Sequence, residues 1–94
     1  MSTNQARFPL GQVVATPGAL AALEAAGQTP FALLRRHQTG DWGDVPPADA
    51  QENELSVVQG FRILSAYILT TGVKIWLLTE ADRSVTTLLR PSEY

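Results

Sequence analysis

His37, the only histidine of the chain, is the side chain best suited to acid–base chemistry, because its ordinary pKa lies near neutrality. It lies in LLRRHQTGDWGDVPP (33–47), where a helix-forming run precedes it and two glycines follow. A structural interpretation is also available, since a histidine near a helix C-terminus can bond the last carbonyls and interacts favourably with the helix dipole. No nucleophile is adjacent in sequence, so both interpretations stay open.

The segment TEADRSVTT (79–87) is a second concentration of polar side chains, between two predicted strands. With His37 it offers the groups for metal-independent RNA cleavage: a base for the 2′-OH proton, a cation for the phosphate and an acid for the leaving oxygen. This hypothesis makes His37 a general acid or base, Glu80 its counterpart and Arg83 the phosphate holder, with Thr86 or Thr87 positioning. It requires the helix end that bears His37 to approach this segment. The alternative is a solvated, charged hairpin turn.

The turn GDWGD (40–44) also permits two interpretations. An exposed Trp42 between Asp41 and Asp44 is typical of an anchor in a protein interface. In the structural alternative, Trp42 folds back onto the helices and Asp41 makes a local turn with the backbone. The turn is too short and wrongly spaced for a calcium loop.

Composition limits the classes of function that these residues can serve. The chain has no cysteine and one histidine, which predicts neither a metal site nor a bound cofactor. A net charge of −2 and a pI near 5.2 argue against general nucleic-acid binding, which depends on neutralising phosphates. Only 17% of the residues are charged, so apolar surface is left over. A protein partner is therefore expected, and a homodimer is left open.

The 94 residues predict one domain, 1–94, with residues 1–7 flexible. The first residues lack the apolar run of a signal peptide, and no apolar segment reaches the roughly 18 residues that cross a bilayer. A cytoplasmic protein without membrane contact is the resulting expectation.

Proline and glycine punctuation predicts three helices. Thr-Pro occurs at 16–17 and at 29–30, and each pair starts a helix, because threonine caps it and proline suits its first position. The two predicted helices, 18–26 and 31–38, end before glycines and form a hairpin, with Phe31 and Leu34 inward. A third helix is predicted from Asp49, which has the spacing of a capping box with Glu52, to Gly60. Leu55 and Val58 fall on one face of this helix.

From Phe61 the hydrophobic period changes to two, which predicts strands at 61–69, 73–80 and 85–89 in an antiparallel meander. Gln12–Ala15 is a candidate edge strand, and the fold class is α+β. A two-residue turn at Thr71-Gly72 would pair Ile68 with Ile75. One apolar face would then seat the helices, formed by Leu64, Ala66, Ile68, Val73, Ile75 and Leu77. The other face, with Tyr67 and Trp76, would be half covered by the N-terminal strand or kept for a partner.

The order GDWGD, ENE, GFRILSAY and KIWLLTEADRSVTTLLRPSEY resembles a group of small uncharacterised bacterial proteins carried on plasmids and integrative elements. The resemblance covers nearly the whole chain from Phe8 onward, and TEADRS followed by TT is its most specific part. It implies that the gene lies among the genes of a mobile element, and it implies no particular activity. At the level of fold, helices followed by a meander are also similar to the barnase, colicin and RelE-type ribonucleases.

These observations give two hypotheses of function. In the first, the chain is an accessory protein of a mobile element that binds another protein, such as a host-defence or plasmid-maintenance component. Its contact residues would be Asp41, Trp42, Asp44, Tyr67 and Trp76. In the second, the chain is a metal-independent ribonuclease that uses His37, Glu80, Arg83, Thr86 and Thr87. A shared cleft for His37 and Arg83 would favour the enzyme, and their separation would favour the binding protein.

Overall fold

The computed structural model describes residues 5–94 and has the predicted α+β class. Four strands form one sheet in the order β1-β4-β3-β2, with β1 parallel to β4 and the other pairs antiparallel. The strands are β1 (Gln12–Ala15), β2 (Ile63–Ile68), β3 (Lys74–Thr79) and β4 (Val85–Leu89). The helices α1 (Pro17–Ala26), α2 (Pro30–Gln38) and α3 (Pro47–Gln59) come between β1 and β2 in the chain, and a short 3-10 helix spans Pro91–Glu93. The predicted edge strand and meander are confirmed.

Within the segment predicted to be flexible, residues 1–4 lie outside the described residues. Arg7, at the other end of that segment, donates its backbone N–H to the Gln38 carbonyl (2.9 Å).

Each of the helices α1, α2 and α3 begins at a proline. Proline suits the first turn of a helix, because it has no backbone N–H and the N–H groups there have no partner within the helix. Thr16 caps α1 by accepting the N–H of Ala19 (3.1 Å), as predicted, but the side chain of Thr29, at the N-cap of α2, makes no cap hydrogen bond, so that part of the prediction is wrong. The third helix begins at Pro47, two residues before the predicted start, with Pro46 at the N-cap position. Asp49 therefore lies inside the first turn, and the capping box predicted for it is wrong.

The loop between β2 and β3 has three residues, not two, and this changes the register of the hairpin. Gly72 donates to the Leu69 carbonyl (2.8 Å), Leu69 donates to the Val73 carbonyl (2.8 Å), and Gly72 has a φ of 91°. The added residue shifts the pairing by one position, so β2 presents the opposite side to the helices. Tyr67 lies opposite Ile75, and the predicted pairing of Ile68 with Ile75 is wrong.

The inner face of the sheet, which α1 and α2 cover, carries most of the apolar core. The largest cluster of buried side chains joins Ala19, Ala22, Leu23, Leu33, Leu34, Tyr67, Leu69, Ile75, Leu77 and Leu88. Phe31, predicted to point inward, is 77% exposed, because α2 buries the side that carries Leu33, Leu34 and His37. A second cluster consists of Phe8, Trp42 and Ile63.

Helix α3 lies against the edge of β2, and this explains why its buried residues, Asn53 and Ser56, are polar. The Asn53 amide donates to the Leu64 carbonyl (2.8 Å) and accepts the Leu64 N–H (3.2 Å), as a neighbouring strand would. Backbone groups at a sheet edge need such partners when they are covered. Leu55 and Val58 share a face as predicted, but that face is exposed.

The turn that contains Trp42 covers the next position of the same edge. The Ala66 N–H donates to the Trp42 carbonyl (3.1 Å), and the Asp44 N–H donates to the Ala66 carbonyl (2.6 Å). Gly43, at a φ of 77°, lies between them, and a Cβ there would overlap the Ala66 carbonyl oxygen. Glycine is therefore required for this close approach of two backbones.

Candidate functional site

His37 is fully buried, and both of its ring nitrogens are hydrogen bonded. Nδ1 lies 2.6 Å from the Ser65 hydroxyl, and Nε2 lies 2.8 Å from the Thr79 hydroxyl. Thr79 in turn lies 2.7 Å from the Thr86 hydroxyl, which donates to the Leu10 carbonyl (2.7 Å). One helix, three strands and the segment before β1 are therefore joined by a single chain of polar groups, which we call the His37 chain.

The direction of every hydrogen bond in the His37 chain follows from its last acceptor. A carbonyl can only accept, so the Thr86 hydroxyl donates its one proton to the Leu10 carbonyl. Thr86 must then accept a hydrogen bond from Thr79. Thr79 has then used its own proton and must accept from Nε2 of His37. The imidazole is thus the neutral tautomer with the proton on Nε2, and Nδ1 accepts from Ser65. Every member is satisfied, as a buried polar network requires.

The surroundings of His37 favour its neutral form. Burial, and secondarily the positive charge of Arg83, lower the pKa of His37 to about 3. The ring of Phe8 packs edge-on against the imidazole at 5.1 Å between centroids, and Trp42 does so at 6.1 Å. An imidazole that is closed off in this way has neither a free nitrogen nor a route to a substrate proton.

The Arg83 guanidinium lies 5.6 Å from the ring centroid of Phe8, which itself packs against His37. Its donors, however, point to backbone carbonyls. Nη2 donates to the carbonyl of Ser56 (2.8 Å) and Nη1 to that of Phe61 (2.7 Å), at the C-terminal end of α3. Nη1 also donates to the carbonyls of Glu80 and Ala81. The backbone of Arg83 adopts a φ of 60°, which is unusual for a residue other than glycine. Arg83 therefore anchors the end of α3 to its own turn.

We expect Arg83→Met to lower the free energy of unfolding by about 1–2 kcal/mol, because the charged donors to four backbone carbonyls, two of them part-buried, are lost. Arg35→Met, on the exposed side of α2, is the matched control and is expected to change stability by less than about 0.5 kcal/mol. Urea unfolding of the three proteins measures both values. Equal stability of the two variants would show that the carbonyl contacts of Arg83 contribute little.

The remaining residues of the ribonuclease hypothesis are divided between the two faces of the sheet. Thr86 is buried on the inner face as part of the His37 chain, and Thr87, paired with Leu78, is half-buried on the outer face. Glu80 is half-buried in the turn, where its carbonyl accepts from Arg83. Among residues 5–94, the structure thus buries His37 and Thr86 fully within the His37 chain, while Arg83 is half-buried in the turn before β4, and the side chain of His37 is not accessible to a substrate.

Two of the predicted contact residues belong to the core. Trp42 is only 6% exposed, and its indole N–H donates to the Glu54 carboxylate (3.0 Å). The prediction of an exposed tryptophan anchor is therefore wrong, because the second apolar cluster needs this ring. Tyr67 is 1% exposed, and its hydroxyl donates to the Asp41 carbonyl (2.7 Å). The shift in register accounts for its inward position.

The aspartates of the GDWGD turn are exposed and paired with cations. Asp41 forms a salt bridge with Arg36 (2.7 Å) and accepts the N–H of Gly43 (3.2 Å), so the predicted local turn is present. The hydrogen bond from Arg36 lowers the pKa of Asp41. Asp44 lies 3.6 Å from the ammonium of Lys74. Both carboxylates remain at the surface beside β2.

A groove of about 240 Å³ opens where α3 meets the outer face of β2. Val45 and Leu64 supply apolar lining, Asp49 and Glu52 add carboxylates, and Asn53 and Arg62 complete it. Among residues 5–94, neither Asp49 nor Glu52 forms a salt bridge. Sequence analysis did not identify this groove, since it depends on how α3 lies against β2.

The groove continues into an aromatic pair on the outer face. Arg62 donates to the Tyr94 hydroxyl (2.6 Å), and the Tyr94 ring packs edge-on against Trp76 at 5.7 Å between centroids. Trp76 is half-buried and Tyr94 is exposed, so Trp76 is the one predicted aromatic contact residue that remains partly accessible. We call the groove together with Trp76 and Tyr94 the outer-face surface.

Two classes of site are not found in the described part of the chain. No group of three or more His, Asp or Glu side chains within residues 5–94 is placed to hold a metal ion. No helix in the same range combines the length and the apolar character needed to cross a membrane. Comparison of the chain with family models, with curated proteins and with solved structures gave no match.

Proposed function

We propose that the chain binds another protein through the outer-face surface. The observation that carries this proposal is the groove between α3 and β2, which combines apolar lining with two carboxylates that no cation of residues 5–94 pairs. Ligand grooves typically join apolar walls to a few polar groups that fix orientation. This groove suits a side chain with an apolar stem and a positive end, such as lysine or arginine.

Charge supports a basic protein as the partner and not a nucleic acid. The carboxylates of Asp49 and Glu52 would repel the phosphates of a nucleic acid. Arg62, the cation in the lining, is hydrogen bonded to Tyr94. The exposed carboxylates of Asp41 and Asp44, also beside β2, are paired with Arg36 and Lys74, so Asp49 and Glu52 carry the negative charge of this surface. Opposite charge on a partner would speed the encounter and fix its orientation.

The aromatic pair supplies the apolar area that such an interface needs. Trp76 and Tyr94 form a partly exposed aromatic patch that Arg62 joins to the groove. Tryptophan, tyrosine and arginine are the residue types most enriched among those that dominate binding energy. In this proposal the groove selects the partner's basic side chain and the aromatic pair contributes most of the affinity. The resemblance to mobile-element proteins suggests a host-defence or plasmid-maintenance protein as the partner.

The ribonuclease hypothesis has less support from the arrangement of its residues. General acid–base catalysis requires a group within hydrogen-bond reach of the substrate proton. His37 has both nitrogens engaged inside the core, and the Arg83 guanidinium donates to backbone carbonyls. No specific observation favours this second function.

The experiment compares the wild type with Asp49→Lys/Glu52→Lys and with Trp76→Ala as affinity baits in a bacterial lysate. Glu24→Lys, on the exposed side of α1, reverses one charge away from the groove and is the control for charge reversal at the surface. We expect a protein retained by the wild type and the control to be lost by both groove and aromatic variants. With that protein purified, calorimetry should show at least about tenfold weaker binding for each variant. Undiminished binding by both variants would contradict the proposal.

A further inference from the structure

Strand β1 presents an open edge that is available for pairing. The N–H group of Gln12 donates to the carbonyl of Ser84, directly before β4, and that of Thr16 donates to the carbonyl of Leu88 in β4 (2.9 and 3.0 Å). Because backbone groups alternate sides along a strand, the N–H and C=O groups of Val13 and Ala15 point away from the sheet. No backbone or side-chain group of residues 5–94 bonds them. They form a row of free donors and acceptors at the edge.

The other edge of the sheet is treated differently, which makes the open one notable. At β2, Asn53 bonds Leu64, and the turn 42–44 bonds Ala66. At β1, the residues Gln12–Ala15 include neither a charge nor a proline, and within residues 5–94 no helix or loop hydrogen bonds the outward-pointing groups of Val13 and Ala15. Val13 and Val14 are 43% and 38% exposed. Proteins normally blunt an edge of this kind unless it is used.

We propose that β1 pairs with β1 of a second copy of the chain, antiparallel and about a two-fold axis. Val14 would lie opposite Val14 of the second copy, and Val13 opposite Ala15 of the second copy. Each Val13–Ala15 pair can exchange two hydrogen bonds, because both residues direct their free groups outward. The two four-stranded sheets would then form one continuous sheet.

Three features of β1 favour a second copy over an unrelated strand. The strand is uncharged, so two identical copies do not repel each other across the pair. Its free groups, on Val13 and Ala15, lie symmetrically on either side of Val14, so a two-fold axis at Val14 sets the donors of one copy against the acceptors of the other. A two-fold axis makes one patch serve both partners, which is the commonest arrangement in soluble oligomers.

The interface is expected to be small and the dimer concentration-dependent. Strands of four residues bury little area, and interfaces below about 1,200 Å² are typical of weak association. The edge lies across the sheet from β2 and the groove. Dimer formation should therefore be independent of partner binding, and Asp49→Lys/Glu52→Lys should dimerise as the wild type does.

Sedimentation equilibrium over a concentration series tests the pairing. We expect the wild-type mass to rise from 10.2 kDa toward twice that value at high micromolar concentration. Val14→Lys and Val14→Glu should each stay monomeric, because like charges would face each other, and their equimolar mixture should dimerise again. Phe31→Lys, at an exposed position of α2, is the control and should behave as the wild type.

Three outcomes would overturn the proposal. A wild type that stays monomeric at all concentrations would leave the edge to a strand of another protein. A Val14→Lys variant that dimerises as the wild type does would place the interface on another surface. A mixture of the lysine and glutamate variants that stays monomeric, although both proteins show native circular dichroism, would exclude Val14 from the centre of the pair.

Discussion

Replacing His37 with alanine is expected to lower the free energy of unfolding by about 3–5 kcal/mol. The substitution leaves a cavity between Phe8 and Trp42 in a region that excludes water. It also removes the partner of the Ser65 hydroxyl and the donor to Thr79, so two buried hydroxyls lose a hydrogen bond. A domain of this size has about 5–15 kcal/mol in total, so the variant should be close to unfolded in mild urea.

A double-mutant cycle with Thr79→Val distinguishes the His37 chain from simple loss of volume. Valine has the shape of threonine without the hydroxyl, so the substitution removes the acceptor of Nε2 while filling the same space. We expect the two substitutions to be non-additive by about 1 kcal/mol or more, since both interrupt one network. Strict additivity, or a cost of His37→Ala below about 1 kcal/mol, would contradict a structural role for the network.

The stability of the protein is expected to fall by about 3 kcal/mol between pH 7 and pH 4 because of His37 alone. The pKa of His37 is about 3 in the folded chain and has its ordinary value of 6.5 in the unfolded chain. Below pH 6.5 the unfolded chain binds the proton first, which stabilises the unfolded state. The contribution of the neutral histidine is therefore complete above pH 6.5 and is lost progressively until the pH reaches about 3.

His37→Gln provides the comparison for this pH dependence, because glutamine does not titrate. Hydrogen bonds from Arg36 and Arg7 also lower the pKa values of Asp41 and Glu54. The stability that these two carboxylates contribute is lost at lower pH in both proteins and does not affect the comparison. We expect the stability difference between wild type and variant, measured by urea unfolding, to narrow as the pH falls from 7 to 4. A difference that stays constant over this range would mean that the folded protein binds the proton as readily as the unfolded chain.

Local signals in the sequence were sufficient to predict the element order and several boundaries. Strands β1 and β4 have the predicted bounds, and the prolines after Thr16 and Thr29 begin the first two helices. These features depend on backbone rules that act over a few residues. The face that each strand buries was not predicted, since one additional loop residue before Val73 reverses it. Turn geometry at Gly72 decides that outcome, and alternation of side chains does not.

The polar residues of the inner face show why hydrophobic patterning misplaced the core. Leu64, Ala66 and Ile68 are the more apolar side of β2, yet that strand directs Ser65 and Tyr67 inward. Ser65 is required there because the buried His37 needs a donor to Nδ1. Hydrophobic patterning considers only the polarity of each side chain. Burial of a polar side chain depends instead on a hydrogen-bond partner that is distant in the chain, as Ser65 is from His37. The burial of Trp42 was not predicted for a related reason, since the acceptor of its indole N–H, Glu54, lies in α3, twelve residues away.

The location of the candidate site follows from the same arrangement. The histidine that suggested catalysis joins α2 to the sheet, and the side chains of the proposed interface lie on the outer face. In the sequence, Asp49 and Glu52 suggested only a helix cap, and nothing related them to Arg62 or Tyr94, because that relation depends on the packing of α3 and on the last residues of the chain. The preference for binding over ribonuclease activity therefore depends on His37 being structural.

Nitrogen-15 NMR of the His37 imidazole, followed through a pH titration, tests that claim most directly. We expect one protonated nitrogen, Nε2, and one unprotonated nitrogen, Nδ1, with shifts that do not change between about pH 7 and about pH 5. The wild-type chain needs no reference variant, because His37 is its only histidine. A titration midpoint near 6.5, with both nitrogens protonated below it, would contradict the account and would restore His37 as a solvent-accessible acid or base.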